Sequence, residues 1–223
     1  MKYLQEETKC GLYLITPQNF DPEEFCTPLA EALDAGNVAA VQLRLKNVDD
    51  SVILRAAKTL LPLCEKRNLP LIINDRPDLA LRSGCNGTHV GQKDISYTEA
   101  RNIVGKNNIV GVTCHNSKHL AIEAAEKGAD YVAFGAFFPT KTKKANYTAG
   151  VEIIRWWSEL MVVPSIAIRG ITPKNCQSLV RSGADFLAVV SAVWDCPNGP
   201  GFAVREFNKA IDNASKTINS FVA

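Results

Sequence analysis

Short apolar runs alternate along the chain with longer stretches in which apolar residues recur at helical spacing. The runs predict eight strands, at Leu12–Ile15, Ala39–Leu43, Leu71–Ile73, Thr88–Val90, Ile109–Val112, Tyr131–Phe134, Ser165–Ile168 and Phe186–Val190. The spacing between them predicts helices, among them Val52–Lys66, Lys118–Lys127, Val151–Leu160, Lys174–Ser182 and a last one from Phe202 to about Ile218. This alternation is typical of parallel β/α folds.

An internal repeat supports this division. Lys127–Ala133 reads KGADYVA and Ser182–Ala188 reads SGADFLA, so each copy places a glycine between a helix end and a buried strand. Eight such units over residues 1–223 predict a single-domain (β/α)₈ barrel, slightly compact for that fold. An open doubly wound sheet is the alternative, but the turn after Leu12–Thr16 lacks a glycine-rich dinucleotide fingerprint.

Composition narrows the classes of function. The 25 basic and 23 acidic residues leave a net charge of +2 and are scattered, which is unlike a nucleic-acid surface. No apolar run reaches the ~18 residues that cross a bilayer, and the amino terminus lacks a signal core, so we expect a cytoplasmic protein. The seven cysteines show no C-x-x-C spacing and are expected to be mostly buried free thiols. Whether the chain forms a homo-oligomer stays open.

Polar clusters follow the predicted strands, and in a barrel these positions meet on one face. Along strand two, Leu43 and Leu45 alternate with an amide and two cations, which predicts opposite faces for the two sets. The clusters are Gln42, Arg44 and Lys46; Asn74, Asp75 and Arg76; His89, Gln92 and Asp94; Thr113 to Asn116; Thr140, Thr142 and Lys143; Arg169 and Gly170; Val190 and Ser191.

Cations and carboxylates occur together in this set. Carboxylates would repel a bare phosphate, but Mg²⁺ is commonly held by one or two carboxylates together with substrate phosphates and water. Asp75 and Asp94 are therefore predicted to bind Mg²⁺ and a diphosphate, with Arg44, Lys46 and Lys143 holding the phosphates. The alternative is that the two aspartates cap the helices beginning near Pro77 and Ser96.

A second anion site is predicted after strands seven and eight, where barrels often bind phosphate through backbone N–H groups. Gly170 and Ser191 lie there, although ordinary strand-to-helix turns are the alternative. Two anion sites on one face indicate a reaction that joins two phosphorylated molecules and releases pyrophosphate. No residue stands out as a nucleophile, which favours electrostatic stabilisation of the departing anion.

The same segments resemble the thiamine-phosphate synthase family. The resemblance lies in QLRLK (42–46), NDR (74–76), HVGQKD (89–94), GVTCHN (111–116), FFPTKTK (137–143), IRGI (168–171) and ADFLAVVSA (184–192). It implies a (β/α)₈ transferase of thiamine biosynthesis that requires Mg²⁺. That enzyme condenses 4-amino-5-hydroxymethyl-2-methylpyrimidine diphosphate with thiazole phosphate, giving thiamine phosphate and pyrophosphate. The implied mechanism is dissociative: pyrophosphate leaves, and the thiazole nitrogen attacks a pyrimidine methylene cation.

The resemblance also assigns roles to individual residues. It implies that Asp75 and Asp94 are Mg²⁺ ligands and that Thr113 stands where a serine usually contacts the pyrimidine. Contacts to the pyrimidine diphosphate are implied for Gln42, Arg44, Lys46, Asn74 and Lys143. The thiazole-phosphate site is implied for Thr140, Thr142, Gly170, Val190 and Ser191.

Two departures from the family pattern leave alternatives open. The methyl group of Thr113 could crowd the pyrimidine, and Arg169 replaces the first glycine of a usual Gly-Gly pair, where positive φ is unfavourable for arginine. A non-catalytic protein that binds thiamine intermediates is therefore one alternative. A thiazole tautomerase, which is similar in fold and phosphate loops, is another, but it would not need a metal-binding carboxylate pair.

Overall fold

The eight strands are parallel and close into a barrel in sequence order. The structure, a computed structural model, describes residues 10–139 and 147–222. Its strands are β1 (Gly11–Ile15), β2 (Val38–Leu43), β3 (Leu71–Asn74), β4 (Gly87–Val90), β5 (Ile109–His115), β6 (Tyr131–Phe134), β7 (Ser165–Ile168) and β8 (Phe186–Val189). Pairing of β1 with both β2 and β8 completes the closure. The prediction of a (β/α)₈ barrel is confirmed.

Helices follow the strands and form the outer layer. They are α1 (Pro22–Leu33), α2 (Asp50–Glu65), α3 (Pro77–Ser83), α4 (Tyr97–Val104), α5 (Lys118–Glu126), α6 (Glu152–Leu160), α7 (Gln177–Arg181), α8 (Ser191–Trp194) and α9 (Pro200–Val222). Within the described part of the chain, none is both long and apolar enough to span a bilayer.

Most predicted boundaries lie within two residues of the observed ones, but three lie further away. The last helix, predicted to end near Ile218, ends at Val222. Strand β5 continues three residues past Val112, because its register with β6 shifts between Thr113 and His115 and pairing resumes at Phe134. Helix α7 begins at Gln177 rather than Lys174, since the preceding residues form turns.

Alternation along the strands divides the core into two layers. Outward residues such as Leu12, Val41 and Leu187 are fully buried against the helices. The inward residues form a second cluster inside the barrel: Tyr13, Ala40, Tyr131, Ala133, Ile166, Phe186 and Ala188. The interior of the barrel is thus a packed core below the ends of the strands that carry the polar clusters.

The repeated GAD segment has a structural role. Gly128 and Gly183 adopt φ of +96° and +87°, which a side chain rarely tolerates. The following aspartates reach a neighbouring strand: Asp130 accepts from the N–H of Val110 at 2.7 Å, and Asp185 accepts from that of Ser165 at 2.8 Å. Each repeat therefore ends a helix and anchors the start of an adjacent strand.

Candidate active site

The alternation predicted for the end of β2 is confirmed. Leu43 and Leu45 are buried in the layer against the helices, whereas Gln42 is buried on the inner side. The hydroxyl of the buried Thr16, at the end of β1, accepts from the backbone N–H of Arg44 at 3.0 Å. This bond fixes the backbone of Arg44 at the rim of the barrel.

A buried pair of amides lies at this end of the barrel. The Nε2 group of Gln42 donates to Oδ1 of Asn74 at 2.6 Å, and this bond orients the Asn74 amide. Nδ2 of Asn74 is itself buried and has no hydrogen-bond partner among the described residues. An unpaired buried donor is destabilising by about 1–3 kcal/mol, so Asn74 is well suited to donate to a bound molecule.

Two carboxylates, predicted as metal ligands, face one another beside this amide pair. Asp75 follows β3 and forms an ion pair with Lys46, with Oδ2 and Nζ 2.9 Å apart. Asp94 follows β4 and accepts from the N–H of Gly91 at 2.8 Å. Partial burial raises the pKa of Asp94, although the residue is still exposed to solvent, and the nearby negative charge of Asp75 raises the pKa further.

Neither aspartate caps a helix, so the capping alternative is wrong. Arg76 occupies the N-cap position of α3, without a side-chain capping bond. Ser96 caps α4, where it forms a capping box with Glu99. Helix capping therefore does not account for the carboxylates of Asp75 and Asp94.

The carboxylate pair fits a Mg²⁺ ion completed by substrate. The described residues contain no group of three or more His, Cys, Asp or Glu side chains arranged to hold a metal. A cation bound by Asp75 and Asp94 would therefore need further oxygen ligands from phosphate and water, which is the usual way proteins hold Mg²⁺. Burial is the main cause of the raised pKa of Asp94 and the charge of Asp75 adds to it, and a bound cation would offset both effects.

Positive side chains surround this pair. Burial lowers the pKa of Arg44, the charge of Asp75 opposes that effect, and the positive charge of Arg169 adds to it. Arg44 therefore lies within electrostatic range of Asp75 and of Arg169. The predicted site residues Thr140, Thr142 and Lys143 lie outside the described residues.

Backbone strain is concentrated at the same end of the barrel. Among the described residues at this end, four other than glycine adopt positive φ: Asn47 (+59°) after β2, Asp75 (+62°) after β3, His115 (+55°) at the end of β5 and Arg169 (+76°) after β7. Such conformations cost about 1–3 kcal/mol each and persist where the surrounding structure holds them, commonly at functional sites. Arg169 adopts the positive φ that the sequence marked as unfavourable for it.

The residues predicted to bind a second phosphate follow the adjacent strands β7 and β8. Gly170 has φ of +68°, and a Cβ there would lie 2.5 Å from the carbonyl oxygen of Phe138, so a side chain has no room. Val190 and Ser191 form the junction between β8 and α8. Helix α8 is fixed to β1 because Nε1 of Trp194 donates to the carbonyl oxygen of Ile15 at 2.7 Å.

Comparison with known proteins places these features in a family. The family model described as thiamine monophosphate synthase matches residues 12–193. A thiamine-phosphate synthase from Rhodospirillum centenum is 59% identical over 204 residues, covering 92% of this chain and 99% of that protein. Another from Hyphomonas neptunium is 41% identical over 214 residues, covering 94% and 97%. The chain belongs to the thiamine monophosphate synthase family.

A solved structure agrees with this assignment. Thiamine phosphate pyrophosphorylase from Pyrococcus furiosus superposes with a TM-score of 0.81 at 32% identity, covering 93% of this chain and 98% of that one. Membership of the thiamine monophosphate synthase family makes the protein an enzyme, a transferase of thiamine biosynthesis. The family membership predicted from the sequence motifs is confirmed.

Thr113, the departure from the family's usual serine, belongs to a network that sequence reasoning missed. Its Oγ1 lies 2.7 Å from Nε2 of His89, and the other ring nitrogen of His89 lies 2.9 Å from the hydroxyl of Tyr131. Burial lowers the pKa of His89 to about 4, so its ring is neutral at neutral pH. Gln92 donates to the carbonyl oxygen of Thr113 at 2.7 Å. The sequence placed His89 and Gln92 near the site without a role; the alternation along β4 could have indicated that His89 points inward.

The thiols contribute little to the site. Cys114 is fully buried on the helix side of β5, and burial raises its pKa to about 12. It is therefore a poor nucleophile, as expected from the sequence. The cysteines are free thiols, and Cys10, Cys64, Cys85, Cys114 and Cys176 are buried.

Proposed function

We propose that the enzyme condenses 4-amino-5-hydroxymethyl-2-methylpyrimidine diphosphate with thiazole phosphate, in a Mg²⁺-dependent reaction that gives thiamine phosphate and pyrophosphate. The observation that carries the proposal is the carboxylate pair of Asp75 and Asp94, with Lys46 and Arg44 beside it. A site for a thiazole tautomerase would not need such a pair. In this proposal the enzyme acts in the cytoplasm on small molecules, without nucleic acid.

The first substrate would occupy the rim between β2 and β5. The orphaned Nδ2 of Asn74 supplies a donor to the pyrimidine diphosphate, and Gln42 holds that amide in place. Arg44 and Lys46 bind the phosphates as cations, a role we also assign to Lys143. Asp75 and Asp94 would hold Mg²⁺, which when bound supplies positive charge that offsets the charge of the diphosphate.

The second substrate would lie across the ends of β7 and β8. A side chain at Gly170 would strike the backbone carbonyl oxygen of Phe138, so only backbone is present at this point after β7, and Val190 and Ser191 lie at the start of α8. We assign these three residues, with Thr140 and Thr142, to the phosphate of the thiazole. Arg169 follows β7, and its charge acts on Arg44.

The residues favour a dissociative order of events. The thiol of Cys114, which follows Thr113 in the sequence, is buried and protonated, so a covalent enzyme intermediate through it is disfavoured. Arg44, Lys46 and Lys143 stabilise pyrophosphate as it departs from the pyrimidine methylene group. The thiazole nitrogen then attacks the resonance-stabilised methylene cation, and no residue needs to act as a nucleophile.

A pyrophosphate-release assay tests this proposal. We expect release only when both substrates and Mg²⁺ are present, and loss of release when the metal is chelated. Binding of both substrates without release would instead show a non-catalytic member of the family. Conversion of the thiazole phosphate alone, in the absence of metal, would show a tautomerase.

A further inference from the structure

A line of hydrogen bonds crosses the interior of the barrel. It runs from the lower end, where the strands begin, to the upper end, where the strands end at the active-site rim. The hydroxyl of Tyr13 on β1 lies 2.9 Å from that of Tyr131 on β6. Tyr131 then contacts Nδ1 of His89 on β4, and Nε2 of His89 contacts Oγ1 of Thr113 on β5. We call these four residues the interior chain.

The lower end of the interior chain lies in apolar surroundings. Tyr13 and Tyr131 are 3% and 4% exposed, and their rings pack edge to face with centroids 5.8 Å apart. The side chains around them at this end are apolar: Ala39, Ala40, Pro70, Ile72, Ile109, Ile166 and Phe186. Among the described residues, the hydroxyl of Tyr131 is the hydrogen-bond partner available to that of Tyr13.

These apolar surroundings determine which group donates in each hydrogen bond of the interior chain. A phenol has one proton, and if Tyr13 accepted from Tyr131, the proton of Tyr13 would lie unpaired in apolar surroundings. Tyr13 therefore donates to Tyr131, and Tyr131 in turn donates its proton to Nδ1 of His89. The remaining proton of the neutral His89 ring lies on Nε2 and is donated to Thr113.

We propose that Tyr13, Tyr131 and His89 are positioning residues. The two tyrosines hold His89 as the Nε2–H tautomer, and His89 in turn directs the hydroxyl proton of Thr113 into the active site. Because Oγ1 of Thr113 already accepts from His89, its own proton is left for a bound molecule. Thr113 then presents a donor, rather than an acceptor, to the substrate. The inference rests on the proposed function for the identity of that substrate, but not for the direction of the bonds.

The tautomer can be measured without substrate. In the ¹⁵N-labelled full-length enzyme, ring nitrogen shifts and their couplings to the ring protons identify which nitrogen of each histidine carries the proton. The chain has three histidines, so His115→Gln and His119→Gln variants assign the signals of His89. We expect the proton on Nε2. A proton on Nδ1, or on both nitrogens, would overturn the proposal even if the enzyme is fully active.

Tyr131→Phe breaks the interior chain with the loss of one oxygen atom. Both tautomers of His89 then leave Nδ1 without a partner, so we expect the Nε2–H form to give way to a mixture. We also expect affinity for the pyrimidine diphosphate to fall by about tenfold, the scale of one hydrogen bond. Tyr97→Phe is the matched control, because the Tyr97 hydroxyl contacts Arg101 instead of the interior chain. An unmixed Nε2–H form in Tyr131→Phe would show that Tyr131 does not set the tautomer.

Substitutions at Thr113 test the proton that the interior chain is inferred to free. Thr113→Ser keeps the hydroxyl and should retain affinity for the pyrimidine diphosphate, whereas the isosteric Thr113→Val should bind it about tenfold more weakly. Equal affinities for the two variants would overturn the donor role. If pyrophosphate release fails in the wild-type assay while His89 is the Nε2–H tautomer, the proposed function is wrong and the direction of the interior chain stands.

Discussion

The lower and upper ends of the barrel interior are built from the same strands but have opposite properties. At the lower end, Tyr13, Phe186 and Ile166 pack closely and the buried tyrosine hydroxyls pair with one another. At the upper end, a buried amide donor of Asn74 has no partner among the described residues, and two carboxylates repel each other. Residues with positive φ also end several strands there.

This contrast shows that the lower end of the barrel stabilises the fold, whereas the upper end carries locally destabilising groups. Packed apolar and aromatic groups at the lower end stabilise the barrel without any ligand. The features of the upper end are unfavourable in the empty enzyme, and the proposed binding of a cation and a diphosphate would make them favourable. Natural proteins commonly carry such locally destabilising groups where function requires them.

The largest effect is expected from Asp75→Asn, which changes the upper end alone. Asparagine has the same shape and accepts the φ of +62° at this position, so the backbone should stay in place. Loss of the charge removes a proposed Mg²⁺ ligand, and we expect kcat to fall about 10²–10³-fold, the scale for one preorganised electrostatic group. Steady-state pyrophosphate release at several Mg²⁺ concentrations measures this.

The control for that experiment is Asp78→Asn in the neighbouring helix α3. Asp78 forms an exposed ion pair with Arg76, with Oδ2 and Nη2 2.6 Å apart, and belongs to neither proposed site. Exposed ion pairs contribute about 0–1 kcal/mol, so its turnover should match that of the wild type. Unchanged turnover of Asp75→Asn at low Mg²⁺ would contradict the ligand role.

Gly111→Ala should disrupt the lower end instead. A Cβ at Gly111 would lie 1.9 Å from Cζ of Tyr131, whose ring is enclosed by the interior core. Overpacking of this kind costs about 3 kcal/mol, and thermal or urea unfolding should show a corresponding loss of stability. In a Tyr131→Leu background the same substitution should cost much less. An equal loss in both backgrounds would show that the ring of Tyr131 is not the obstacle.

The same contrast explains what the sequence could predict. The strands, the helix-ending glycines of the GAD repeat and the meeting of Asp75 with Asp94 were predictable, because local pattern and barrel topology determine them. The bond between Tyr13 and Tyr131 joins residues 118 positions apart across a closed barrel, and each alone is an ordinary strand tyrosine. The positive φ of Arg169 was not predictable from the residue itself, since residues other than glycine seldom adopt it.

A pH titration of stability probes the junction between the two ends. The pKa of His89 is about 4 in the folded enzyme and about 6.5 when unfolded, so the unfolded state takes up the proton first. Stability is therefore complete above about pH 6.5 and declines as pH falls towards 4, by about 2 kcal/mol between pH 7.5 and 5. Urea unfolding at both pH values should show this loss in the wild type and in His119→Gln, a substitution at an exposed histidine. It should be much reduced in His89→Gln, and an unchanged loss there would assign it to other groups.

The smallest expected effect, in Asp94→Asn, is the sharpest test of the trade between stability and function at the upper end. The folded enzyme raises the pKa of Asp94, so ionisation of this carboxyl opposes folding as pH rises through that pKa. Removal of the charge should therefore raise the melting temperature of the metal-free enzyme at neutral pH, by about 1–2 °C because the side chain is exposed. Added Mg²⁺ with pyrophosphate should stabilise the wild type and not the variant, which reverses the order of their melting temperatures. If Asp94→Asn melts below the wild type without metal, then the Gly91 contact outweighs the repulsion by Asp75, and the two carboxylates are not a destabilised pair.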